Sequence, residues 1–196
     1  MLSATAIATP ITIENPSFEA DTPLTNENWP FGVTGWGFGG GGNAGVMSNE
    51  HFNEVSDGDN VAWVVNGYLY QVLETTLAIG HTYTLTVDVG RQNGYALPVY
   101  SVELWASDSL LASDNSLNPS EGQFLNSTVT YTETGANDGK AIMIGLFSYD
   151  SHLANFDNVR LSNSVNNEIV VTPEPSTMLL LGFGLLGVLA GFRRKA

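Results

Sequence analysis

Alternation of apolar and polar residues at period two, with no competing helical stretch, limits this chain's fold more than any other feature. In residues 82–89, Tyr83, Leu85, Val87 and Val89 alternate with Thr82, Thr84, Thr86 and Asp88. A strand there has one apolar and one polar face. Tyr100, Val102 and Leu104 alternate with Ser101 and Glu103 in the same way. Further strands are expected over 123–131, 141–147 and 155–161. The 141–147 run is continuously apolar, which predicts a strand buried on both faces. Residues 61–65 and 68–72 flank Asn66-Gly67, a pattern that predicts a hairpin with a two-residue turn. Asp57-Gly58-Asp59, Asn93-Gly94, Asn118-Pro119 and Asn137-Asp138-Gly139 supply the other turns. Many short strands between regular turns predict a β-sandwich or barrel. The stretch 37–45 holds six glycines and no lysine. It reads as a flexible surface loop and lacks the Gly-Lys-Ser/Thr of a phosphate cradle.

Charge and cysteine content exclude several functions. The 196 residues carry a formal net charge of −14, and before the C-terminal tail the only Lys and Arg are Arg91, Lys140 and Arg160. Such a surface repels phosphate, so no nucleic-acid partner is expected. Carboxylate-rich surfaces attract divalent cations, calcium above all. With no cysteine, there are no disulfides, thiolate metal sites or cysteine nucleophiles. Residues 1–10 are expected to be a disordered leader or the end of a signal peptide. Ala4-Thr5-Ala6 and Ala6-Ile7-Ala8 both fit a small-x-small cleavage site.

The tail is organised differently. After a polar linker at 162–172 comes Pro173-Glu174-Pro175, then an uncharged apolar run at 178–192, then Arg193-Arg194-Lys195. A helix over that run would be about 22 Å long, short of the ~30 Å hydrocarbon core. Gly182, Gly184, Gly187 and Gly191 would let it pack closely on another membrane helix. The basic cluster holds its end in the cytoplasm and leaves the β-domain outside. These residues resemble the PEP-CTERM sorting signal over 173–196. That resemblance implies a bacterial exported protein, inserted transiently in the inner membrane. An exosortase-type membrane protease or transpeptidase would handle it and deliver it to the cell surface or extracellular matrix.

A second resemblance covers residues 11–161. Asn15-Pro16-Ser17-Phe18-Glu19 opens this stretch and Phe156-Asp157-Asn158-Val159-Arg160-Leu161 closes it, with Gly35-Trp36 and the 57–60 turn between them. These motifs resemble the galactose-binding-like jelly rolls of carbohydrate-binding modules. The fold expected is therefore an all-β jelly-roll sandwich, followed by the linker and a short transmembrane helix. Asp157 is in phase with Val159 and Leu161 and is expected to point toward the core, where an unpaired carboxylate is costly. The resemblance implies one structural calcium held by Glu19 and Asp157 with backbone carbonyls. The alternative is that Asp157 accepts backbone N–H bonds and Glu19 is solvated.

Sugar binding needs exposed rings flanked by polar groups. Trp105 lies on the polar phase of its strand, and Tyr68, Tyr95 and Tyr149 lie near turns, so these four are the candidate ligand-binding residues. Trp36 and Trp63 read as core. Catalysis finds little support. His51, His81 and His152 lack metal-ligand spacing, and there is no Gly-x-Ser-x-Gly elbow. The expectation is an exported, non-enzymatic protein associated with exopolysaccharide or surface glycan. The alternatives are a structural or adhesive matrix protein without a specific ligand and, third, a secreted glycoside hydrolase.

Overall fold

The computed structural model describes residues 8–23, 31–54 and 56–165. The sorting residues Pro173, Glu174, Pro175, Arg193, Arg194 and Lys195, and the helix expected over 178–192, lie outside that set. Among the described residues nine strands follow one another: β1 (Thr9–Ile11), β2 (Gly37–Ser48), β3 (Asn60–Thr76), β4 (His81–Gly90), β5 (Tyr100–Ala106), β6 (Ser109–Asp114), β7 (Phe124–Thr132), β8 (Ala141–Ser148) and β9 (Ala154–Val165). Every pairing is antiparallel, in the order β6-β5-β8-β3-β9-β4-β7, with β1 added to β9 and β2 to β3. Among the described residues no helix is long and apolar enough to cross a membrane.

One long strand joins the two halves of the sheet. β3 pairs with β9 through Ala62–Val64 and with β8 from Gly67 onward. Between these pairings Asn66 takes φ 46°, a left-handed conformation that asparagine tolerates. The expected hairpin at Asn66-Gly67 is therefore corrected. β3 does not reverse onto itself there; the β2–β3 ribbon runs past this point from one half of the sheet to the other. β2 slips register opposite it, between Gly40 and Asn43, where a Cβ on Gly42 would stand 1.9 Å from the Val65 carbonyl oxygen.

The 37–45 stretch is likewise corrected, from loop to strand. Its glycines belong to β2, and the reason lies in the rings that cover them, described below.

Alternation places one row of each strand in a common core. Leu69, Leu73, Val102, Leu104, Ile142, Ile144 and Leu146 come from one half. Tyr83, Leu85, Val87, Val89, Val129, Phe156, Val159 and Leu161 come from the other. All are 6% exposed or less. Burying a side chain of this size stabilises by about 1.5–3 kcal/mol, which makes this cluster the main source of stability. The Tyr83 hydroxyl is satisfied by accepting from the Ala78 N–H at 2.9 Å. β8 departs from its expected double burial. Ile142, Ile144 and Leu146 face the core, whereas Met143 and Phe147 are half-buried on the outer face.

Candidate functional site

On that outer face, residues far apart in sequence meet. Tyr68 stands opposite Phe147, and Tyr70 opposite Gly145, across the β3–β8 ladder. On β5, Glu103 pairs with Gly145 and Trp105 with Met143. On β2, Gly39 pairs with Tyr68 and Gly37 with Tyr70. The Tyr68 and Phe147 rings stack at 4.6 Å between centroids, and Phe147 and Tyr149 at 5.6 Å. Tyr70 lies 5.8 Å from Tyr68, and Trp105 6.5 Å from Phe147.

Glycines make room for these rings. A Cβ on Gly37 would lie 2.4 Å from Cζ of Tyr70, and one on Gly39 2.4 Å from Cζ of Tyr68. At Gly145 it would lie 2.5 Å from the Phe147 ring. Glycine in a strand often marks such a close approach.

Glu103 sits among the rings and is 5% exposed. Its Oε1 accepts the Tyr149 hydroxyl at 2.8 Å, and its Oε2 accepts Trp105 Nε1–H at 2.8 Å. Both oxygens thus hold rings in place. Burial, then the bond to Glu103 and that group's charge, push the Tyr149 phenol up to about 12. Of the four aromatic candidates, Tyr68, Trp105 and Tyr149 converge here. Tyr95 does not; it lies on the 91–99 loop, where its carbonyl accepts from Arg91 Nε. Phe147, Tyr70 and Glu103 were missed from sequence: Phe147 lies on a strand that reads as buried on both faces, Tyr70 on one arm of the expected hairpin, and Glu103 on the polar phase of its strand, which reads as facing solvent. Tyr70 also lines a groove of about 910 Å³ with Glu14, Gln71, Glu74 and Asn163. This groove opens where β2 begins opposite Tyr70, which leaves the far end of β3 uncovered on that side.

The calcium candidates meet the same short loop from two sides. Glu19 Oε1 accepts the N–H of Asp59 at 2.9 Å and of Asn60 at 2.7 Å. Asp157 Oδ2 accepts the N–H of Asp57 at 2.9 Å, and its Oδ1 that of Asn158 at 2.7 Å. The orientation expected for Asp157 is corrected. Asp157 pairs with Asp88 and Arg160 with Thr86, so β9 carries one extra residue relative to β4. Asn158 absorbs it at φ 52°, the pattern of a β-bulge. Phe156 and Val159 take the core positions, and Asp157 turns the other way, under the 57–60 loop. It is nonetheless wholly buried. Burial first, with the charges of Asp57 and Asp88 adding to it, pushes its carboxyl up to about 7. Among the described residues no three His, Cys, Asp or Glu side chains form a metal-binding group.

A smaller apolar cluster lies apart from the main core. Met47, Phe52, Val61 and Trp63 form it, with Val65, Phe124 and Leu153 against it. Phe52 and Phe124 are 4.8 Å apart. Asn155 is fully buried beside it. Its amide donates to Met47 Sδ at 3.6 Å, while its Oδ1 has no hydrogen-bond partner among the described residues.

The three histidines stay apart. His81 lies beside Asn163, His152 beside Asp150, and His51 ends a single 3-10 turn.

Comparison with known proteins agrees with this architecture. Residues 171–195 match the PEP-CTERM protein-sorting motif, the signal for exosortase processing, so this is an exported protein sorted at the membrane. Among curated proteins no match is found. The Stig cyclase Fisc from Fischerella sp. TAU was solved in complex with (3Z)-3-(1-methyl-2-pyrrolidinylidene)-3H-indole. It is 28% identical, with a TM-score of 0.74 over 81% of this chain and 99% of that one. An apo-form cyclase from Fischerella sp. is 30% identical, with a TM-score of 0.72 over 80% of this chain and 96% of that one. The CBM22-1 xylan-binding domain from Paenibacillus barcinonensis Xyn10C shares the jelly-roll fold at 16% identity, with a TM-score of 0.51 over 83% of this chain and 98% of that one. The HpiC1-like family, described as HpiC1 cyclase, matches residues 9–162, and the chain belongs to that family.

Proposed function

We propose that this exported protein is a non-enzymatic binder of ring-shaped ligands, which holds exopolysaccharide or surface glycan on the outer face of β3, β5 and β8. The observation that carries this reading is the set of rings around Glu103. Sugars stack on aromatic faces, and rings already fixed by hydrogen bonds lose little entropy on binding. Glu103 uses both oxygens to hold Tyr149 and Trp105, which suits a scaffolding carboxylate better than a proton shuttle. One structural calcium belongs to the same proposal. Glu19 and Asp157 would supply its carboxylate oxygens, and the ion would offset the buried charge of Asp157. The tail would enter the inner membrane transiently and present the domain outside before release to the surface or matrix.

Residues 6–166 form a compact unit and are suited to a glycan array. Binding to at least one oligosaccharide is expected, reduced at least tenfold by Tyr68→Ala or Trp105→Ala with the domain still folded. A blank array at high protein concentration would overturn the reading and favour a structural matrix protein.

A second reading rests on the smaller apolar cluster, beside which Asn155 Oδ1 is buried without a partner among the described residues, and on the indole-type ligand bound by the 28% identical relative. Here the ligand would be a small heteroaromatic donating to Asn155. Calorimetry with indole tests it: saturable heat, lost in Asn155→Ala, supports this reading, and no heat removes it.

A further inference from the structure

We infer that the ring face selects a cationic ligand, so that among sugars it takes amino sugars bearing a free ammonium over neutral or uronic ones. This rests on the ring-binding reading above and concerns the charge of the ligand. Glu103 is 5% exposed, and its two hydrogen-bond donors, the Tyr149 phenol and the Trp105 indole, are both neutral. A carboxylate has about four acceptor positions, so two bonds leave it with spare capacity. Its charge is buried beneath aromatic rings, where electrostatic attraction is far less screened than in water.

The rings add to the same preference. Trp105 and Tyr149, which both bond the carboxylate and both adjoin Phe147, each have the negative ring face that attracts an ammonium within ~6 Å of its centroid. Tyr149, 56% exposed, and Trp105, half-buried, offer that surface to solvent. With its phenol pushed up to about 12, Tyr149 stays neutral across the physiological range and remains a donor to Glu103. The wider surface points the same way. Of the three Lys and Arg before the tail, Arg91 pairs with Glu121, Lys140 bonds Asn137, and Arg160 lies near Asp57. None joins the ring cluster. A uronic-acid chain would meet an uncompensated carboxylate and a repelling surface.

The test is calorimetry on residues 6–166 with three probes of equal length: a glucosamine oligomer at pH 6, its fully N-acetylated counterpart and an oligogalacturonate. The glucosamine oligomer should bind at least tenfold tighter than the N-acetylated one, with no binding of the uronate. Glu103→Gln should cut that preference to within threefold, whatever its effect on affinity for the neutral oligomer. Should that variant fold poorly, Tyr149→Phe, which keeps the ring and frees one carboxylate oxygen, should retain the preference, and Trp105→Ala should reduce it. Equal binding of the cationic and neutral oligomers would overturn the inference and leave the ring-binding reading standing. A preference that survives Glu103→Gln and Trp105→Ala would also overturn it, because general surface charge would then account for the binding. No binding of any probe would remove both.

Discussion

The carboxylate of Asp157, wholly buried, accepts the backbone N–H of Asp57 at 2.9 Å and so fastens the closing strand to a loop 100 residues earlier in the chain. The bond favours the charged carboxylate, but burial outweighs it and the carboxyl titrates at about 7. The unfolded chain ionises this group near the ordinary value of 3.8. Raising the pH from about 4 to about 7 therefore stabilises the unfolded state alone, and folding loses up to about 4 kcal/mol over that window. Asp114, Glu133 and Asp150 behave in the opposite way. Burial opposes their charge, but hydrogen bonds hold them below their ordinary values, so their contribution is lost only at more acid pH. Asp157→Asn should flatten the fall in melting temperature between pH 4.5 and 7.5. Equal slopes for the two proteins would rule this account out.

Calcium should act in the same window. If an ion is held by Glu19 and Asp157, adding millimolar calcium at pH 7.5 should raise the melting temperature by several degrees, because a ligand bound only to the folded state stabilises it. The gain should shrink at pH 5, where Asp157 is protonated, and EDTA should reverse it. A melting temperature unchanged by calcium and by EDTA at pH 7.5 would remove the ion.

The glycines under the rings can be tested without disturbing the core. Gly39→Ala would place a methyl 2.4 Å from Cζ of Tyr68, at the far end of a side chain that can swing outward. Stability should change by less than about 1 kcal/mol, since the contact is at the surface. Ring binding should fall about tenfold, because Tyr68 leaves its place against Phe147. Unchanged glycan affinity in Gly37→Ala and Gly39→Ala together would show that these tyrosines take no part.

Sorting makes a prediction of its own. Replacing Glu174 by Gln, or deleting Arg193-Arg194-Lys195, should leave the protein in the inner-membrane fraction on cell fractionation. Normal release of both variants would argue against handling through these residues.

The ribbon bend is open to substitution. Asn66→Val forces a β-branched residue into φ 46°, at a cost of roughly 1–3 kcal/mol. Asn66→Gly should be tolerated. A melting temperature equal to that of the parent in Asn66→Val would show that the bend relaxes at no cost.

Much of this architecture is local chemistry and can be read along the chain. Alternation identified 82–89 as a strand with Tyr83, Leu85, Val87 and Val89 inward, because period two and a half-buried sheet require each other. Trp36 and Trp63 are buried as apolar bulk demands. The tail declared export by the order of its rigid, apolar and basic parts. Alternation, however, says which face a residue takes and not which strand lies beside it. Only the tertiary structure set the Phe147 ring against Tyr68 and brought the Tyr149 hydroxyl to Glu103, since those neighbours come from the β3–β8–β5 pairing. Two left-handed asparagines mark the points where local pattern and outcome part. At Asn66 the strand continues where a hairpin was expected, and at Asn158 one extra residue reverses the phase of Asp157. In both places the pairing of distant strands overrides the local signal, because the energy of a ladder and a shared core exceeds the cost of one left-handed asparagine.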